Sequence, residues 1–125
     1  MRALELGTPG ELRTELNSLV LTGKKRATTS LLEEYVSEIE GLEYPGERQA
    51  LLDNDGEPIA TIEITGVEVK RFIEVTWEHA AAEGEGDASL EEWRAGHRRF
   101  WSLTGTPVEN DTPLVCLTFR LTSST

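Results

Sequence analysis

The sequence predicts an α+β fold in which helices flank a curled β-sheet. Several segments combine helix-capping residues with apolar residues at helical spacing, and others alternate apolar and polar residues as strands do. In the longest predicted strand, from about Ile59 to Lys70, the apolar phase changes at Gly66. A phase change at glycine is typical of a β-bulge, which bends a sheet. We therefore expect a small barrel rather than a flat sheet.

The N-terminal part predicts two helices joined by a short basic loop. Residues 8–11 have the spacing of a helix start, and apolar residues at 12–20 form one stripe before Gly23. A second helix is predicted to begin at Thr29 or Ser30. Its predicted buried face consists of Leu32, Tyr35, Val36 and Ile39.

The remaining chain alternates strand and helix signals. The predicted strands are Gln49 to Asp53, the long strand and Leu114 to Leu121, with an Asn-Asp-Gly turn at 54–56. The predicted helices are Trp77 to Glu83 after a Thr76 cap, and a longer one from the Ser89 cap to Gly105. Only Ser123 to Thr125 are expected to be loose.

Composition and charge limit the classes of function. The 125 residues predict a single domain, residues 1–125, and no apolar run approaches the roughly 20 residues of a membrane span. We expect a cytoplasmic protein without membrane contact, since no export signal is visible and Cys116 stands alone. A net charge of -11 argues against tight nonspecific nucleic-acid binding. Most basic residues lie in three clusters, which either are solvated faces or converge on an anion-accepting cleft.

Two places carry residues suited to chemistry. Lys25, Thr28 and Thr29 lie where the second helix is predicted to start, so they form either an oxyanion seat or a basic surface loop with a capping threonine. Glu83 ends its helix beside Gly84, facing the negative end of the helix dipole. Such a mismatch is frequent at functional sites, although solvent beside the glycine would also relieve it.

These residues belong to motifs of a known family. Residues 23–28 (GKKRAT) match the G-x-K-x-x-T signature of the ASCH domain family, and residues 79–84 (HAAAEG) resemble its second conserved block. Residues 85–90 (EGDASL) resemble the longer bacterial subgroup of that family, as do Trp93, Arg94, His97 and Phe100. The ordered match runs from about Leu12 to Arg120. The resemblance implies a PUA-like fold, which is a small curled β-barrel with helices around a cleft.

The resemblance also implies a function near RNA or nucleosides. One compact ASCH branch is similar to an amidohydrolase that removes the acetyl group from N4-acetylcytidine, and its Lys, Thr and Glu triad falls on Lys25, Thr28 and Glu83. The alternatives are an RNA- or nucleotide-binding module without turnover, or a ribonuclease. The expected partner is thus a nucleoside-type small molecule or RNA, with no cofactor and no metal. Because this chain is longer than the compact branch, the chemistry transfers better than the substrate does.

The triad allows two assignments of roles. Thr28 is the candidate nucleophile, but Lys25 can act as its base only if burial holds the amine neutral, and Glu83 would oppose that. We therefore hypothesise that charged Lys25 stabilises an oxyanion while Glu83 moves protons or orients water. The expected substrate-binding residues are Lys24, Arg26, Thr29, Glu63, Arg94 and Arg98. His79 is expected to position Glu83, and His97 is interpreted as a hydrogen-bonded core residue.

Overall fold

The computed structural model describes residues 1–124 and shows one mixed, five-stranded sheet with helices around it. The strands are β1 (Arg2–Leu4), β2 (Ala27–Leu31), β3 (Arg48–Leu52), β4 (Pro58–Arg71) and β5 (Pro113–Ser124), in the order β1-β3-β4-β5-β2. The helices are α1 (Glu11–Leu21), α2 (Trp77–Ala82) and α3 (Leu90–Leu103), and short 3₁₀ turns occupy Leu32–Tyr35 and Phe72–Glu74. No helix within residues 1–124 is long and apolar enough to cross a membrane.

The sheet curls where the sequence predicts it to curl. Strands β4 and β5 pair along almost their whole length, and their register shifts between Ile64 and Gly66. A Cβ atom on Gly66 would lie 2.6 Å from Thr118 Oγ1, so a larger residue at the bulge would force the Thr118 side chain to move. The result is a curled half-barrel with flanking helices, which confirms the predicted α+β class.

Strand β5 divides the interior into two cores. Its residues Val115, Leu117 and Phe119 pack on one side with α1, while Leu114 and Cys116 pack on the other with α3. The second core is aromatic, because Phe72 stacks on Trp93 with ring centroids 5.8 Å apart. Each fully buried large apolar side chain contributes roughly 1.5–3 kcal/mol. These two cores attach α1 and α3 to the same sheet. The candidate site lies between helices and strands that the cores hold in place.

The predicted second helix is wrong. Residues Ala27–Leu31 form strand β2, which pairs antiparallel with β5, and only the 3₁₀ turn follows it. Val36 and Ile39, which were expected in a buried helix face, are 86% and 101% exposed. The β-branched pair at Thr28 and Thr29 favours a strand, and pairing with β5 outweighs the local capping spacing. The oxyanion seat predicted from a helix start at these threonines is therefore not formed.

The caps of the later helices are confirmed, whereas that of α1 is not. Thr76 Oγ1 accepts a hydrogen bond from the backbone N–H of His79 at 3.2 Å, and Ser89 Oγ accepts one from that of Glu92 at 3.2 Å. Helix α1 instead begins after Gly10 without a side-chain cap. A cap is a contact between near neighbours, so these signals are legible in the sequence.

The two ends of the chain differ from expectation. Strand β1 has no predicted counterpart; it is three residues long and pairs parallel with β3. Such a short strand carries too few residues to show alternation. At the other end, Ser123 belongs to β5 rather than to a loose tail, and Thr125 lies outside the described residues.

Candidate functional site

A pocket of about 240 Å³ brings Lys25, Thr28 and Glu83 together. We call it the site pocket. Lys25 precedes β2, Thr28 lies within β2, and Glu83 caps the C-terminal end of α2. Helix α3 contributes His97 and Trp101 to the pocket lining. The three residues of the implied triad are thus neighbours in space, although Lys25 and Glu83 are 58 positions apart.

Backbone contacts hold the two halves of the triad in place. The backbone N–H of Lys25 donates to the carbonyl of Leu19 at 3.0 Å, which turns the chain out of α1. The N–H of Arg26 then donates to the carbonyl of Ala82 at 2.7 Å, which joins this segment to the end of α2. Gly84 lies so close that a Cβ atom there would be 2.0 Å from the carbonyl oxygen of Lys24. This close approach requires glycine.

Lys25 is buried and ion-paired. The residue is 2% exposed, and its Nζ donates to Glu85 Oε2 at 2.7 Å and to the backbone carbonyl of Glu83 at 3.5 Å. A buried ammonium group keeps its charge only when such acceptors compensate for lost water. For Glu85, burial and then the nearby Glu83 carboxylate raise the pKa, and the Lys25 charge offsets them only in part. The contacts match a charged Lys25.

Glu83 is 1% exposed, and both of its carboxylate oxygens have donors. Oε2 accepts a short hydrogen bond from the Thr29 hydroxyl, and this hydroxyl accepts one from His79 Nε2 at 2.8 Å. Oε1 lies 3.2 Å from Nε2 of His97. His79 therefore does contact Glu83, as expected from its position one turn earlier, with 3.5 Å between Nε2 and Oε2. These donors offset the unfavourable end of the helix dipole.

The surroundings of Glu83 favour its carboxylate form. Burial alone would raise its pKa most strongly. Hydrogen bonds from His79 and His97, together with the charge of Lys25, outweigh burial and hold the pKa of Glu83 well below its ordinary value. Glu83 is consequently ionised at neutral pH, and it is a weak base in this resting arrangement.

His97 lies in the wall of the site pocket rather than inside the core. Its ring stacks on Trp93 with centroids 4.0 Å apart, and its Nδ1 donates to the Trp93 carbonyl at 3.0 Å. Burial lowers the pKa of His97, but the ion pair with Glu83 raises it more, so the pKa lies above its ordinary value. The sequence-based interpretation as a hydrogen-bonded residue holds in part, because the ring also faces the pocket.

Two of the predicted substrate-binding positions near the triad are outside the site pocket. Thr28 and Thr29 both line it. Lys24 and Arg26 are exposed, and Arg26 lines a different groove of about 540 Å³ on the other side of α2, which we call the outer groove. The alternation of side chains along a chain entering a strand separates Lys25 from its two basic neighbours.

The other predicted substrate-binding residues are also absent from the site pocket lining. Glu63 on β4 lies 3.2 Å from Arg120 and 3.8 Å from Arg48. Arg94 donates to Glu91 at 3.0 Å, and Arg98 donates to Asn110 at 2.8 Å. Each has a structural partner elsewhere, so the structure does not bring these three residues to the triad.

Two acidic pocket residues were not identified as candidates from the sequence, and a third residue, His97, was interpreted as part of the core. Glu85 and Asp87 belong to an acidic glycine-containing loop that is typical of a flexible surface, and His97 lies on an apolar helix stripe. The available signal was their place in the family-like stretch that follows Glu83. Within residues 1–124, no group of three or more His, Cys, Asp or Glu residues is arranged to hold a metal ion.

The site pocket continues into a second space of about 350 Å³, here called the side chamber. The two share a floor that includes Thr28, Thr29 and Trp101. The far wall of the side chamber carries Glu34 and Glu43, and no lysine or arginine lines it among the described residues. The combined cleft is therefore acidic apart from Lys25 and His97.

Comparison with known proteins agrees with this architecture. The sequence model of the ASCH domain matches residues 3–123, so the chain belongs to the ASCH domain family. The crystal structure of protein EF3133 from Enterococcus faecalis V583, described as family-model DUF984, has 30% sequence identity and a TM-score of 0.85. The alignment covers 99% of this chain and 77% of that one.

A second structure carries the family name. The ASCH domain from Lactobacillus crispatus JV V101 has 32% identity and a TM-score of 0.82, with coverage of 98% of this chain and 79% of that chain. The hypothetical protein PH0355, at 20% identity and a TM-score of 0.60 over 86% of this chain and 92% of its own, shares the fold. No protein with a curated description matches the sequence. The family has a PUA-like fold, which is often found in RNA-binding proteins.

Proposed function

We propose that this protein is an amidohydrolase that removes the acyl group from a small acylated pyrimidine nucleoside of the N4-acetylcytidine type. The observation that carries the proposal is the convergence of Lys25, Thr28 and Glu83 in one pocket, with the lysine and the glutamate both buried and the lysine paired with Glu85. Amide hydrolysis needs a nucleophile, a group that transfers protons and a group that stabilises the oxyanion. The three side chains supply these three functions.

The contacts favour one assignment of roles. Lys25 Nζ is paired with Glu85 at 2.7 Å, so it acts as a charged donor to the developing oxyanion rather than as a base. The hydroxyl of Thr28 adds to the acyl carbon and gives up its proton. The C–N bond then breaks, its electron pair goes to the amine nitrogen, this nitrogen takes up a proton, and the acyl group stays on Thr28 as an ester. A water molecule then adds to the ester, and the carboxylic acid leaves while the Thr28 oxygen regains a proton. If a water molecule attacks in place of Thr28, the acid is released without an ester. Glu83 accepts the proton of the attacking hydroxyl and passes it to the leaving nitrogen. Glu83 becomes a stronger base at this point, because the negative oxyanion offsets the positive charge of Lys25.

The size and charge of the cleft support a free nucleoside over an RNA chain. The site pocket of about 240 Å³ and the adjoining side chamber of about 350 Å³ together match the roughly 300–1,000 Å³ of pockets that hold small ligands. Glu34 and Glu43 in the adjoining side chamber would repel a phosphate group. The net charge of -11 adds to this repulsion.

RNA or nucleotide binding without turnover is the second candidate function, and the outer groove favours it. Arg26, Lys70 and Arg120 line this groove together with Glu68 and Glu78, so three cations from different parts of the chain lie along it in an acidic protein. Binding to phosphates there would weaken steeply as the salt concentration increases. Binding of a nucleoside in the site pocket would depend little on salt.

The first experiment follows hydrolysis of N4-acetylcytidine by chromatography. We expect the wild type to release cytidine, and Lys25→Ala and Glu83→Gln to lower kcat by about 10²–10³ fold, as removal of one oxyanion donor does elsewhere. Lys24→Ala and Glu78→Gln are matched controls, because both side chains are exposed and neither lines the site pocket. We expect both controls to keep wild-type activity.

Two outcomes would contradict the proposal. No cytidine release at high enzyme concentration would remove this substrate class, and salt-dependent RNA affinity lost in Arg26→Ala would then support the second candidate. Separately, Lys25→Arg keeps a permanent charge that cannot act as a base. Activity retained in Lys25→Arg would exclude Lys25 as the base. Loss of activity in Lys25→Arg, together with a wild-type pH profile that changes when Lys25 is replaced, would overturn our assignment of roles.

A further inference from the structure

The two ring nitrogens of His97 both face groups that can only accept hydrogen bonds. Nδ1 lies 3.0 Å from the backbone carbonyl oxygen of Trp93, and Nε2 lies 3.2 Å from Oε1 of ionised Glu83. A neutral imidazole carries one N–H and can satisfy only one of these acceptors. Satisfying both acceptors takes two N–H groups, so the geometry favours an imidazolium ion at His97.

His79 contacts the same carboxylate but needs no charge. Its Nε2 lies 2.8 Å from Thr29 Oγ1, and the Thr29 hydroxyl donates a hydrogen bond to Glu83 Oε2. A neutral ring with its proton on Nε2 satisfies this chain of hydrogen bonds. The two histidines therefore hold opposite oxygens of Glu83 in different ways, and only the contacts of His97 favour a positive charge.

The surroundings of His97 fix the ring and balance its charge. The face of Trp93 stacks on it at 4.0 Å and 24°, an arrangement that favours a cation. Trp101 contacts it edge to face at 5.3 Å. The charged groups of the other elements around the pocket are Glu83, Glu85, Asp87 and Lys25. With 19% of its side chain exposed in the pocket wall, His97 can lose its proton to solvent without moving.

We propose that His97, as an imidazolium ion, is a positioning residue that holds Oε1 of Glu83 and thereby orients this carboxylate for catalysis. The catalytic part rests on the proposed function, whereas the charged pair does not. When His97 loses a proton, its ring keeps one N–H for two acceptors, so either Oε1 of Glu83 at 3.2 Å or the Trp93 carbonyl at 3.0 Å faces a bare nitrogen. In both tautomers Glu83 loses the positive charge beside it and is held less firmly, and hydrolysis slows as the pH increases through this titration.

The charged pair can be tested without any enzyme assay. The chain has two histidines, so ¹⁵N NMR of the imidazole rings resolves each one, with His79→Gln as the assignment variant. In the wild type at pH 6.5 we expect His97 to be mainly protonated on both nitrogens. A neutral His97 at this pH would overturn the proposal. In Glu83→Gln, His97 should titrate at a lower pH than in the wild type, because burial is no longer opposed by the carboxylate.

The positioning role is tested by pH profiles of kcat and KM for His97→Gln beside the matched control His79→Gln. We expect His97→Gln to lower kcat about tenfold with little change in KM, and to lose the decline on the alkaline side that wild type and His79→Gln share. Equal profiles for the two variants would refute positioning through charge. If the wild type hydrolyses no acylated nucleoside, the proposed function fails while the NMR result still decides the charged pair.

Discussion

Gly84 allows a direct test of how the site is assembled, through the substitution Gly84→Ala. Its φ is +67°, and a new Cβ atom would lie 2.0 Å from the carbonyl oxygen and 2.6 Å from the carbonyl carbon of Lys24. The left-handed conformation costs a non-glycine residue about 1–2 kcal/mol. Relieving the overlap must separate two backbone segments and break the hydrogen bond from Arg26 N–H to Ala82, and it disturbs Lys25. The loss of the Arg26–Ala82 hydrogen bond and of one hydrogen bond of Lys25 adds about 1–3 kcal/mol. We expect a total loss of about 2–5 kcal/mol.

The matched control is Gly86→Ala, two residues further along the same loop. Gly86 has a φ of +92°, but a Cβ atom there would meet nothing within 4 Å. We therefore expect only the conformational cost of about 1–2 kcal/mol. Urea denaturation followed by fluorescence of the buried Trp93 and Trp101 measures both. Equal losses in the two variants would refute the argument that Gly84 is required by the close approach to Lys24.

Three further predictions concern stability and reactivity. Val36→Ser and Ile39→Ser should each change the free energy of unfolding by less than about 0.5 kcal/mol, because both side chains are exposed; losses near 2 kcal/mol in urea denaturation would restore the buried helix face. The pKa of Glu83 is lowered on folding, so its stabilising contribution is present above pH 4.5 and is lost as the pH falls below that value. Thermal unfolding between pH 6 and pH 3 should therefore be less pH-dependent in Glu83→Gln than in the wild type, and identical slopes would contradict this. Burial raises the pKa of Cys116 to about 12, so iodoacetamide at pH 8 should modify it much more slowly in the native protein than in urea. Equal rates in the two states would show that this thiol is accessible.

The elements that were predicted correctly depend on local contacts. Thr76 and Ser89 cap their helices through neighbours three residues away, and Gly66 marks the bulge within its own strand. Strand β2 was mistaken for a helix because its partner β5 lies far along the sequence. The capping spacing of Ser30 and Glu33 is a real local signal, but the pairing of a whole strand outweighs it.

The site was predictable only in part for a similar reason. Lys25, Thr28 and Glu83 were found through the family motifs, since no local rule brings residues 58 positions apart into contact. A histidine on an apolar helix stripe looks the same in sequence whether its ring is neutral in a core or charged in a pocket wall. The feature that distinguishes His97 from a core histidine is its contact with Glu83, which is visible only in the three-dimensional structure.

The pairing of β2 with β5 also sets an order of events during folding. Ala27 pairs with Thr118, so the loop that must close before β2 is fixed contains most of the domain. Closing such a loop is entropically costly, and domains rich in distant pairings fold slowly. Thr28 and Thr29 therefore reach their final positions only after the last strand has been synthesised and docked. A nascent chain lacking β5 would carry the lysine motif without the strand pairing that places Thr28 and Thr29, so the site pocket should form late in folding.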